Sequence, residues 1–163
     1  LQNHTDDTQH AMIGHELKRT LSENGTVSRG VCVVNDEGNL SSVVERTKIS
    51  HDMGRIYFEE DEILTELAPE TIVSMNFWGF KPSVFPITQK LFEAYARANF
   101  TTPKAEFYIP YIVTNMIFSE EGRCRVFTSQ SDWFGVTYPE DKPTVQAALS
   151  ELHASGKYPS SLW

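Results

Sequence analysis

Residues 31–47 read VCVVNDEGNLSSVVERT, and this stretch decides the class of fold. Two runs rich in β-branched residues flank Asp36-Glu-Gly-Asn39, and Gly38 can take the positive φ that a tight turn demands. The stretch therefore predicts a β-hairpin. On its N-terminal side lies TLSENGTVSRG (20–30), a loop of turn formers, and before it the apolar run Ala11 to Leu17, expected to be a buried strand. On its C-terminal side, Arg55–Phe58 and Ile63–Leu67 bracket the acidic turn Glu59 to Glu62 and predict a second hairpin. Four consecutive carboxylates suit a solvated hairpin tip better than a metal site.

Further along, TIVSMNFWGF (71–80) predicts a strand, and Pro82 suits the first turn of a helix, with Pro86 a second point of initiation. Helical spacing of apolar residues follows in QKLFEAYARAN (89–99). Residues 105–118 read as an extended piece turning into a helix, and Arg123 to Thr128 as a strand. The clearest helix is KPTVQAALSELHASG (142–156), with Pro143 at its second residue and Gly156 as a stop. Strands, helices and inserted hairpins interleave without an internal boundary or repeat. The expected class is mixed α/β, one domain over residues 1–163.

The chain's 163 residues are 40% hydrophobic and 12% aromatic, enough for a sizeable core and too many for a disordered chain. Fourteen basic against 22 acidic residues leave a net charge of -8, which argues against a nucleic-acid or anionic-membrane surface. A phosphate ligand is still compatible, because two or three placed cations bind one. Cys32 and Cys124 lie in strand-like runs with no CxxC spacing, as reduced buried thiols do. No run approaches the roughly 20 apolar residues needed to span a bilayer, and no signal-peptide pattern opens the chain. Cytoplasmic location is the expectation, and the Asn-x-Ser/Thr sites at Asn3, Asn24, Asn39 and Asn99 are read as chance.

Generic catalytic motifs are absent: there is no HExxH, GxSxG, GxGxxG or GxxxxGK[ST]. Three segments stand out instead. Asn24 to Gly30 sets Arg29 among small residues, a loop able to offer N–H groups and a guanidinium to an anion, or simply a well-turned connection. Val43 to Lys48 ends a strand in alternating charge; Glu45 could accept from hydroxyls while Arg46 or Lys48 meets a phosphate, although surface strands often look like this. Trp133 to Lys142 carries aromatics into a helix start, with Asp141 either an N-cap ahead of Pro143 or a ligand residue.

Together these stretches resemble the C-terminal half of a nucleotidyltransferase of the sugar-nucleotide pyrophosphorylase type, the NTP transferase family. The resemblance rests on LSENGTVSRGVC (21–32), VVERTKI (43–49), TIVSMNFWGF (71–80), KAEFYIP (104–110), WFGVTYPEDKP (133–143) and GKYPSSLW (156–163), in the family's order. It implies a mixed, mostly parallel sheet flanked by helices with inserted β-hairpins, an incomplete nucleotide-diphospho-sugar transferase (Rossmann-like) fold. The implied reaction transfers an NMP from an NTP to a sugar-1-phosphate or similar phosphomonoester, releasing pyrophosphate. Catalysis in such enzymes is mainly positioning and charge neutralisation by Mg²⁺ and basic side chains.

By that resemblance Glu45 binds sugar hydroxyls, and Arg46 or Lys48 supplies a phosphate-facing cation. Gly30 lines the sugar pocket beside Arg29, Asn76 stands on its wall, and Thr137 and Asp141 occupy the place of a Mg²⁺ ligand. The family's Gly-rich loop of the type LAAGxGSR and its first metal-binding Asp have no counterpart here. The chain, opening on Leu1 rather than Met, is therefore expected to be the acceptor-binding half, inactive with NTP alone, and to self-associate through an exposed apolar sheet edge. The alternative expectation is a non-catalytic binding or assembly module.

Overall fold

A computed structural model describes residues 6–131, 133–159 and 161. Seven strands form one sheet: β1 (Gln9–Glu16), β2 (Val27–Val34), β3 (Leu40–Asp52), β4 (Arg55–Glu60), β5 (Ile63–Leu67), β6 (Ile72–Gly79) and β7 (Arg123–Ser129). Three helices accompany them: α1 (Val84–Asn99), α2 (Ile109–Phe118) and α3 (Asp141–Ala154). The spatial order is β5-β4-β3-β2-β6-β1-β7. This is the mixed α/β sheet expected, but it is not mostly parallel. Only β1 and β7 run parallel; every other neighbouring pair among the described strands is antiparallel. The physical reason is connectivity. Tight turns join β2 through β5, and β6 enters between β2 and β1 antiparallel to both, which leaves one crossover for a parallel pair.

The β2–β3 hairpin forms as its turn residues require. Gly38 has φ 77°, and Asn35 Oδ1 accepts from the N–H groups of Glu37 (3.1 Å) and Asn39 (2.9 Å). β3 continues past Thr47 to Asp52 because Lys48, at φ 52°, makes a bulge that bends the strand without ending it. The acidic stretch is shorter as a turn than expected. Glu59 and Glu60 pair within the β4–β5 ladder, and only Asp61 and Glu62, both at positive φ, turn the chain.

Consecutive strand residues point to opposite faces, which splits the core in two. Cys32 joins Met12, Leu40, Val43 and Cys124 beneath Val113 and Met116 of α2. Val31 packs on the other face with Leu17, Val27, Ile49, Ile56, Phe58 and Val73. Val113 and Met116 are fully buried and contribute about 1.5–3 kcal/mol each to pinning α2, with Pro110 and Ile112 buried beside them. Pro110 sits in the first turn of α2, where a missing N–H costs nothing. Pro86 likewise falls in the first turn of α1, which begins at Val84 and not at Pro82. Both cysteines are buried and free, and burial pushes each thiol up to about 12. Among the described residues no helix is long and apolar enough to cross a membrane.

Candidate functional site

β2 and β3 bring Gly30 opposite Glu45, and β6 brings Ser74 to the far side of Gly30. These three residues share the face that α2 covers, since Glu45 lies two positions from Val43, whose carbonyl accepts from Thr114 Oγ1 of α2 at 3.0 Å. Only glycine fits at position 30 without displacing its neighbours. A Cβ there would stand 3.0 Å from Val43 Cγ2, 3.2 Å from Ser74 Cβ and 3.6 Å from Glu45 Oε2. Next along β6, Asn76 takes φ 58° in a bulge where β6 gains two residues over β1 between Ser74 and Phe77. Its N–H donates to Ser74 Oγ (3.1 Å), and its Oδ1 accepts from Trp78 Nε1 (3.2 Å). Trp78 in turn stacks on Phe80. Gly30, Glu45 and Asn76 are thus brought to one face, with Ser74 as their bridge.

The Glu45 carboxylate is half-buried, and among the described residues no donor is bonded to it. Burial pushes its pKa up, and the charge of Arg29 pulls it part of the way back. Tyr108, the residue before α2, senses the Glu45 charge and lies against Glu106; its own pKa is raised first by the hydrogen bond with Glu106. The 106–108 segment is held by Tyr95, whose hydroxyl donates to the Glu106 carbonyl at 2.7 Å, and by the ring of Phe107 against Phe92, Tyr95 and Tyr111. Ser74 and Tyr108 escaped the sequence reading. Ser74 was hidden in an apolar strand, and nothing local marks Tyr108.

The cations lie elsewhere. Arg46 pairs with Arg29 across the ladder and so stands on the opposite face from Glu45. Its guanidinium lies 4.5 Å from the Phe58 ring centroid and donates to both carboxylate oxygens of Glu60 at 2.7 Å. Lys48 Nζ donates to Glu59 at 2.6 Å. The strand that ends in alternating charge is thereby matched to the acidic hairpin beside it. Arg29 is only 7% exposed. Its Nη1 donates to the Ser28 carbonyl at 2.7 Å, its Nη2 donates to the Thr20 carbonyl, and its Nε is buried without a partner. The guanidinium sits 4.8 Å from the centroid of the Trp133 ring. Burial brings its pKa down to about 10, so it stays charged at neutral pH.

Asp141 is the first residue of α3 rather than its N-cap, a place held by Glu140. Its carboxylate turns back to accept from the N–H groups of Thr137 (2.9 Å) and Tyr138 (2.8 Å). It also accepts from Ser22 Oγ (3.0 Å) and Asn24 Nδ2 (2.7 Å). The Tyr138 N–H and then the Asn24 amide hold its pKa below the usual carboxylate range. Thr137 meets this carboxylate through its backbone N–H, as a donor. A Mg²⁺ ion needs converging oxygen acceptors with free lone pairs, and these two residues do not fit that requirement. Among the described residues no cluster of three or more His, Cys, Asp or Glu side chains converges either.

No protein-family model matches the chain, and no curated protein matches it.

Proposed function

We propose that the chain supplies the acceptor side of a nucleotidyltransferase, which moves an NMP from an NTP to a sugar-1-phosphate or similar phosphomonoester. In that reaction an acceptor phosphate oxygen forms a bond to the α-phosphorus of the NTP, the α–β bridging bond breaks, and pyrophosphate departs. The observation that carries the reading is the half-buried Glu45 carboxylate, which has no bonded donor among the described residues and stands across the ladder from Gly30. A carboxylate so placed gains hydrogen bonds when a polyhydroxylated ligand arrives, and a ligand hydroxyl is the natural donor. Ser74 and Asn76 add further polar groups to the same face. Arg46 stands on the opposite face from Glu45, so of the two cations it is Lys48 that would meet the acceptor phosphate, by exchanging Glu59 for it.

Isothermal titration with hexose 1-phosphates tests the proposal. Binding weakened about ten-fold or more by Glu45→Gln is expected, a loss in the range of a charge-assisted hydrogen bond. Absence of binding to every hexose 1-phosphate would overturn it. The chain alone is expected to release no pyrophosphate from any NTP.

A second reading, a binding or assembly module, draws on one observation. Ile13, Phe77 and Phe127 pair across β6, β1 and β7 on the face away from α2. They line an apolar groove of about 210 Å³, with Phe77 67% and Phe127 54% exposed. Such a surface favours association, and a monodisperse monomer in light scattering at high concentration would count against it.

A further inference from the structure

We propose that Asp141 is a positioning residue. Its carboxylate clasps the 133–138 segment to the 21–25 loop and so seats Trp133 over Arg29. The inference stands on this geometry and not on the acceptor reading. A carboxylate offers about four acceptor directions, and Asp141 fills them with four donors from two segments remote in sequence: Ser22 and Asn24 on one side, Thr137 and Tyr138 on the other. Moving the carboxylate to another partner would strand two backbone N–H groups at a site that is only 8% exposed.

A second strut joins the same two segments independently. Tyr138 Oη donates to the Thr26 carbonyl at 2.8 Å. The Tyr138 ring lies so close on Gly25 that a Cβ there would come within 2.6 Å of Cζ and Oη. The 21–25 loop is also braced from within, where the Asn24 N–H donates to Ser22 Oγ at 3.1 Å. Between the two segments remains a cleft of about 130 Å³, lined by Leu21, Asn24, Trp133, Phe134 and Asp141 among others. With the segments held together, the Trp133 ring covers a guanidinium whose other contacts are the carbonyls of Thr20 and Ser28. Asp141 thus acts on Arg29 through Trp133, and the two motifs LSENGTVSRGVC and WFGVTYPEDKP are halves of one device.

Amide hydrogen exchange and Trp133 quenching in the full chain test the clasp. Asp141→Ala is expected to speed exchange at the Thr137 and Tyr138 amides by about ten-fold or more. Acrylamide quenching of Trp133, read in a Trp78→Phe/Trp163→Phe background, is expected to rise with it. Asp141→Asn is expected to restore both: its amide oxygen still accepts the two N–H groups, and its NH₂ donates to Ser22 Oγ and, once the Asn24 amide turns over, to Asn24 Oδ1. Should Asp141→Ala fail to fold, Asn24→Ala and Ser22→Ala read the same amides, and faster exchange is expected there. Unchanged exchange in the alanine variants would overturn the proposal. So would shifts of these amides on adding Mg²⁺ that Asp141→Ala and Asp141→Asn abolish equally, since that is the behaviour of a metal ligand.

Discussion

Gly30 and Glu45 face each other across the β2–β3 ladder, and the glutamate carboxylate comes within van der Waals reach of the place a Gly30 Cβ would take. Two of the three atoms nearest to that absent Cβ, Val43 Cγ2 and Ser74 Cβ, belong to packed strands and cannot swing away. Gly30→Ala is therefore expected to lower stability by about 1–3 kcal/mol through overpacking. It is also expected to weaken hexose 1-phosphate binding. Urea unfolding and titration calorimetry measure the two effects separately.

Glu45 carries a pH dependence of definite sign. Burial raises its folded-state pKa above the unfolded one, so between the two values the folded chain holds more protons, and this residue's contribution to stability falls as pH rises through that window. Below the unfolded pKa the cost of burying the charge is absent; above the folded pKa it is complete. Glu45→Gln is expected to match the parent in acid and exceed it in urea midpoint at pH 7. A midpoint difference independent of pH would contradict this.

Arg29 is held by geometry that lysine lacks. Its two terminal nitrogens reach two carbonyls and its plane lies against Trp133. Arg29→Lys is expected to cost about 1–2 kcal/mol and Arg29→Ala about 2–4 kcal/mol, because charge-assisted hydrogen bonds to the Thr20 and Ser28 carbonyls are lost. Differential unfolding in urea reads both.

Arg46 and Lys48 are paired with the exposed carboxylates of Glu60 and Glu59. Surface pairs of this kind contribute about 0–1 kcal/mol. The double variant Glu59→Gln/Glu60→Gln is expected to stay within about 1 kcal/mol of the parent. If Lys48 serves the acceptor phosphate, the same variant binds hexose 1-phosphates more tightly, having lost the competing Glu59 carboxylate. Weaker binding would remove Lys48 from the site.

Much of the fold is legible in the residues. Asn35 and Gly38 dictate the first hairpin, and apolar runs locate β1, β6 and β7. Pro143 and Gly156 frame α3 to within two residues. Strand direction is not legible, because it depends on β6 entering between β2 and β1, a pairing over distances no local pattern encodes. For the site, the period of two already separates Glu45 from its neighbour Arg46, and the ladder places them on opposite faces as that period demands. What no period reveals is the partner of a side chain. Two of the four donors on Asp141, Ser22 and Asn24, and the carboxylates on Arg46 and Lys48 come from other segments, so a cluster of charge in sequence says little about which charges remain free.

The single parallel pairing has a kinetic consequence. β1 bonds to β6 on one side and to β7 on the other, so Gln9 waits for Arg123 and His15 for Ser129. During synthesis the hairpins of β2 to β5 can close as soon as their turns emerge, whereas β1 keeps one unsatisfied edge until nearly the whole sheet has been made. The Gly38 turn adds a latch to this late step: the Val126 N–H of β7 donates to the Gly38 carbonyl at 3.0 Å. The earliest hairpin is thus the dock for the last strand, and the first strand to emerge is the last to have both its edges closed.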